Sequence, residues 1–140
     1  MDFELHTRLL QDTLFIVDMP LSQARLMNDQ RFPWIILIPR KSDIQELYEL
    51  DQTEQRQLMS EITQISRILK DNYSADKLNV AALGNQVPQL HIHIIARHTQ
   101  DAAWPNPVWG FENRKPYRAD QSEKTIAQLK SLITVLQNPA

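Results

Sequence analysis

An α+β fold, with a mainly antiparallel sheet of about five strands, one long helix and a C-terminal helix, is predicted by three features of this 140-residue sequence. Short β-branched and aromatic runs are flanked by turn residues, one long stretch carries apolar residues at three- and four-residue steps, and two strand-like runs are joined by a glycine-containing tip.

In order, Phe3, Leu5, Leu9 and Leu10 suit a short helix, and TLFIVDMP and QARLMND read as two strands around a turn at Pro20. RFPWIILIPR, residues 31–40, is dense enough in apolar side chains for a buried strand, with Pro33 and Pro39 near its ends. DQTEQRQLMSEITQISRILKDNY is the long helix: Leu58, Ile62, Ile65 and Leu69 form one stripe, and Asp51 with Glu54 has the spacing of a capping box. LNVAAL (78–83) and QLHIHIIAR (89–97) read as strands of a β-hairpin whose long tip is GNQVP. Residues 99–117 show little periodicity and should form a loop, with Trp104 and Trp109 either anchoring it or closing over a site of this chain or of a neighbouring subunit. A helix from about Ser122 to Gln137 puts Ile126, Leu129, Ile133 and Leu136 on one face.

This length is enough for one domain over residues 1–140 with its own core. A net charge of −2 provides no field to gather nucleic acid or an anionic membrane, so neither is expected as a partner. No run approaches the ~20 apolar residues of a spanning helix, and the N-terminus lacks a signal-peptide core. With no cysteine, thiolate metal sites and cysteine nucleophiles are excluded, and a cytoplasmic protein is expected.

The chemistry concentrates in 89–97. A period of two puts Leu90, Ile92, Ile94 and Ala96 on a core face, and Gln89, His91, His93, Ile95 and Arg97 on the other. Three readings of the imidazole pair stand: a solvated strand face without function, a zinc site, or nucleophilic catalysis at phosphorus. Zinc needs a third ligand, and His98 has the wrong parity while His6 is remote in sequence. A neutral imidazole attacks phosphorus readily and forms a phosphohistidine, provided that its tautomer is fixed and donors surround the phosphoryl oxygens.

GNQVPQLHIHIIAR resembles the active-site hairpin of the histidine triad (HIT) superfamily of nucleotide hydrolases and transferases, whose motif is H-φ-H-φ-H-φ-φ with φ apolar. In that register Gln89 stands where the family has its first histidine, His91 is the nucleophile and His93 the third histidine. FIVDMP, Asn28 ahead of WIILIPR, the long helix and Asn79 before the glycine turn follow the family's order over residues 3–98. WPNPVWG resembles the C-terminal segment of bacterial members, within 99–140.

The resemblance implies a homodimer in which two sheets join into one. It also implies cleavage at the α-phosphate of a nucleoside phosphoramidate, an adenylate or a dinucleoside polyphosphate through a nucleotidyl-histidine. No cofactor is expected beyond magnesium accompanying a polyphosphate substrate. In the family the nucleophile's second ring nitrogen donates to a main-chain carbonyl within the motif, a contact that Gln89 does not remove. An amide cannot exchange a proton as imidazole does, so a nucleotide-binding or sensing module with little turnover is the competing reading.

The resemblance further assigns Asn28, Asn79, Asn85 and Gln86 to phosphate or ribose, with Gly84 admitting close backbone approach. Ordinary turn chemistry accounts for Asn79, Asn85 and Gln86 equally well, and Asn28 before Asp29 is also a plain turn signal. Arg97 suits either a distal phosphate or a salt bridge at the rim, and Phe15, Ile16 and Ile36 suit either an apolar base pocket or plain core.

Overall fold

The computed structural model describes residues 2–137 and contains a five-stranded antiparallel sheet in the order β1-β2-β3-β5-β4. The elements are α1 (Thr7–Asp12), β1 (Thr13–Asp18), β2 (Ser22–Met27), β3 (Trp34–Pro39), α2 (Gln52–Tyr73), β4 (Lys77–Ala81), β5 (Ile92–Arg97) and α3 (Ala119–Gln137), with a 3-10 turn at Leu47–Glu49. No helix among the described residues is long and apolar enough to cross a membrane.

The predicted capping box forms: Asp51 accepts from the Glu54 amide at 2.8 Å, and Glu54 accepts from the Asp51 amide at 2.9 Å. Between that cap and the left-handed Ser74 (φ 50°), α2 lays Leu58, Ile62, Ile65 and Leu69 against the sheet. Glu61 lies fully buried on the same stripe. It accepts from the amides of Leu21 and Ser22 at 2.7 and 3.0 Å, tying α2 to the β1–β2 turn. The α3 helix begins three residues earlier than the sequence indicates, and Leu136 is 43% exposed while Leu129 and Ile133 are buried.

The alternation along β5 holds, but neither face is solvated. Leu90, Ile92, Ile94 and Ala96 join the core beneath α2 and α3. Ile95 joins a second core with Phe32, Trp34, Ile36, Leu9, Val87 and Val108, roofed by α1 and the loop after β5. The strand predicted over 89–97 is shorter than expected: its ladder starts at Ile92, leaving Gln89 and His91 in the hairpin tip. Antiparallel pairing sets Trp34 opposite Ile95 and Ile36 opposite His93. The same face of β3 therefore meets the histidine face of β5.

Candidate active site

The site is built on the tip between β4 and β5. His91 is 5% exposed, and its Nδ1 lies 2.7 Å from the main-chain oxygen of Gln89. A carbonyl only accepts, so Nδ1 carries the proton and the lone pair belongs to Nε2. Gly84 makes this packing possible. A Cβ there would sit 2.6 Å from the Val87 carbonyl oxygen and 3.5 Å from His91 Cε1, so a side chain would force the tip open.

His93 is held in the opposite tautomer. Trp34 Nε1 donates to its Nδ1 at 3.0 Å, which puts the proton on Nε2, facing the Leu83 carbonyl at 3.4 Å. The rings of His91 and His93 meet edge-on with centroids 4.9 Å apart, and Trp109 packs edge-on to His93 at 5.1 Å. Burial lowers the pKa of both imidazoles, His93 to about 4. For His91 the charge of His6 acts in the same direction and the Gln89 carbonyl opposes it; for His93 the neighbouring His91 adds to burial and the Leu83 carbonyl opposes. Both rings are therefore neutral near pH 7.

A cavity of about 520 Å³ opens beside the pair, with Met27, Trp34, Ile36 and Val87 on an apolar wall and Arg8, Asp12 and Arg114 among the charged groups. A smaller space of about 160 Å³ adjoins it, lined by Gln45, Glu46, Gly84, Asn85 and Gln89. His91 and Asn85 border both. The cavities thus offer an apolar compartment and a polar one on either side of the nucleophile candidate.

Of the residues singled out in the sequence, His91, His93, Gly84, Asn85, Gln86 and Gln89 converge here. Asn28 and Asn79 line neither cavity. Asn28 Oδ1 accepts from the Tyr117 amide at 2.9 Å, fastening the C-terminal segment to the end of β2. Asn79 Oδ1 accepts from Arg97 at 2.9 Å. Ile36 lines the large cavity, whereas Phe15 is 46% exposed and Ile16 belongs to the core under α2.

Arg97 forms a salt bridge as one of its sequence readings had it, but in the interior rather than at a rim, and it meets neither cavity. It is 1% exposed, bonds both carboxylate oxygens of Asp101 at 2.8 and 3.0 Å, and donates to the Asn106 carbonyl at 2.8 Å. The rings of Phe32 and Trp104 stack on it. Burial pushes the Asp101 carboxyl up, but Arg97 and main-chain donors outweigh it and hold the pKa at about 2. This knot folds the loop after β5 back so that Trp109 reaches the site of its own chain.

Sequence reasoning missed Trp34 and the Asp29–Arg31 pair, whose Nη2–Oδ2 distance is 2.8 Å and which also lines the cavity. Trp34 was legible in principle, since it shares strand parity with Ile36. Of the two indoles that the sequence allowed to close over the site, Trp109 lines the cavity and Trp104 does not. Among the described residues there is no group of three or more His, Cys, Asp or Glu side chains placed to hold a metal ion.

The HIT domain profile matches residues 8–100. The fold is similar to a histidine triad protein from Bradyrhizobium japonicum at 48% identity and TM-score 0.92, covering 95% of this chain and 99% of that one. A histidine triad protein from Marinobacter aquaeolei is similar at 44% identity and TM-score 0.93, covering 96% and 98%. The bis(5'-adenosyl)-triphosphatase of Saccharomyces cerevisiae is 32% identical over 69 residues, 46% of this chain and 34% of that protein. The match thus spans only about a third of the yeast protein.

Proposed function

This chain belongs to the HIT domain family, and on that premise we propose that it hydrolyses or transfers a nucleoside monophosphate group through a nucleotidyl-His91 intermediate. The observation that carries the reading is the 2.7 Å contact from His91 Nδ1 to the Gln89 carbonyl. It reserves the Nε2 lone pair for attack and steadies the charge that the ring acquires when the N–P bond forms.

In this reading the base enters the apolar side of the large cavity and Asn85 and Gln86 donate to the phosphate. His91 Nε2 displaces the leaving group into the polar compartment, and water then releases the monophosphate. Phosphoramidates, adenylates and dinucleoside polyphosphates all fit that scheme, magnesium arriving only with the last. The same reading includes a homodimer: β4 is an edge strand whose Val80 is 48% exposed, and a second copy would continue the sheet there. It also places the protein in the cytoplasm.

One observation favours the competing reading, a module that binds nucleotides with little turnover: the Gln89 side chain is spent on main-chain groups and has no proton to give. Incubation with adenosine phosphoramidate and chromatography of released AMP tests between them. Multiple turnovers are expected; AMP binding without any release would favour the module.

A further inference from the structure

Gln89 makes three hydrogen bonds, two of which join it to a distant part of the chain. Its Oε1 accepts from the His6 amide at 2.8 Å and its Nε2 donates to the Glu4 carbonyl at 2.8 Å, while its own carbonyl takes the His91 ring proton at 2.7 Å. Only an amide offers a donor and an acceptor side by side at the end of a short stem, so this two-point clamp on residues 4–6 is work a histidine at position 89 would not do in the same way. The clamp delivers a histidine. His6 caps α1, its Nδ1 accepting from the Arg8 amide at 3.0 Å, which fixes the remaining proton on Nε2.

We infer that the imidazole absent from position 89 is supplied by His6, that Gln89 is the positioning residue that holds it, and that His6 Nε2–H donates to the leaving-group atom of a substrate attacked by His91. The inference rests on the nucleotidyl-transfer reading above. Its support is the shared anchoring of both histidines on Gln89, which lines the polar compartment, and the presence of Arg8, Leu9 and Asp12 from the next turn of chain in the wall of the large cavity; His6 itself stands just outside both linings. Glu4 lies nearby in the chain, Glu46 lies across the polar compartment, and Arg8, Asp12, Asp29, Arg31, Glu112 and Arg114 are the charged groups in the wall of the large cavity.

For an oxygen leaving group, which departs as an anion, the step balances without an outside reagent, and the neutral His6 ring donates a hydrogen bond while keeping its proton. The His91 Nε2 pair forms the N–P bond, the bond from phosphorus to the leaving atom breaks with its pair going to that atom, and His6 Nε2–H hydrogen-bonds the charge as it grows. Water then attacks phosphorus, the N–P pair returns to His91, and the proton shed by water ends on the leaving group.

A donor to the leaving atom matters most when that atom leaves badly, which a structural role would not imitate. Single-turnover AMP release is therefore measured with the 4-methoxyphenyl and 4-nitrophenyl esters of AMP. His6→Ala should slow the methoxyphenyl ester on the order of a hundredfold and the nitrophenyl ester less than about threefold, with AMP affinity kept. Gln89→Ala should show the same pattern, and the double variant should be no slower than either single one. Equal slowing of both esters, no slowing of either, or multiplying effects in the double variant overturns the inference. Because His6 is exposed, its variant decides alone if Gln89→Ala does not fold. A wild type that releases no AMP from either ester sinks the nucleotidyl-transfer reading itself, whereas an active wild type with an indifferent His6→Ala sinks only this inference.

Discussion

Trp34 Nε1 donates to His93 Nδ1 across 3.0 Å, so an indole on β3 decides which nitrogen of a β5 histidine carries the proton. Trp34→Phe keeps the apolar wall but leaves a buried acceptor unsatisfied. Turnover should fall about tenfold, and stability should fall by about 1–3 kcal/mol. Steady-state kinetics with urea unfolding checks both, and an unchanged kcat would mean the His93 tautomer is immaterial.

His93 gives stability a specific acid limb. Its pKa in the fold is about 4, below the ordinary 6.5, chiefly through burial. Between those values the unfolded chain takes up a proton that the folded chain refuses, so stability falls as pH drops from about 6.5 toward 4, by about 2 kcal/mol at pH 5. The lowered pKa of His91 acts in the same direction. Asp101 contributes in a separate window: held at about 2, it stabilises the fold above the ordinary carboxylate range and loses that contribution only as pH falls toward 2. Urea midpoints from pH 8 to pH 4.5 should slope accordingly for the wild type and flatten in His93→Gln; parallel slopes would contradict the assignment.

The histidine face of β5, the capped long helix and the hairpin were legible because each rests on a local period or a local hydrogen bond. Arg97 was not: whether its guanidinium lies at a rim or in a core depends on Asp101 and Asn106 in a loop with no pattern. Asn28 and Asn79 had the composition of ligand donors, yet their partners, Tyr117 and Arg97, lie 89 and 18 residues away. Likewise His6 looked irrelevant from its sequence distance, and the Gln89 side chain accepts from its amide across 83 residues.

The Arg97 knot should be structural. Asp101→Ala leaves a guanidinium that is 1% exposed without its carboxylate, and unfolding free energy should drop by about 3–5 kcal/mol. Equilibrium denaturation reads this directly. A loss below about 1 kcal/mol would mean that Asn79 and the Asn106 carbonyl satisfy Arg97 by themselves.

Gly84→Ala probes the hairpin tip. The new methyl would lie 2.6 Å from the Val87 oxygen, so the tip must shift, moving Asn85, Gln86 and the wall beside His91. KM for a phosphoramidate should rise and kcat should fall, together at least tenfold in kcat/KM, or ~1.4 kcal/mol. Wild-type kinetics in this variant would show that the tip geometry does not set the site.

The central claim is that His91 Nε2 becomes covalently bonded to phosphorus. The most direct measurement is to mix the protein with adenosine phosphoramidate, quench within milliseconds at alkaline pH, and map the adduct by mass spectrometry. The account predicts one nucleotidyl group, located on His91 and lost in His91→Ala, with AMP binding in that variant kept within about tenfold, or ~1.4 kcal/mol. Turnover that survives His91→Ala, or an adduct on any other residue, would contradict it.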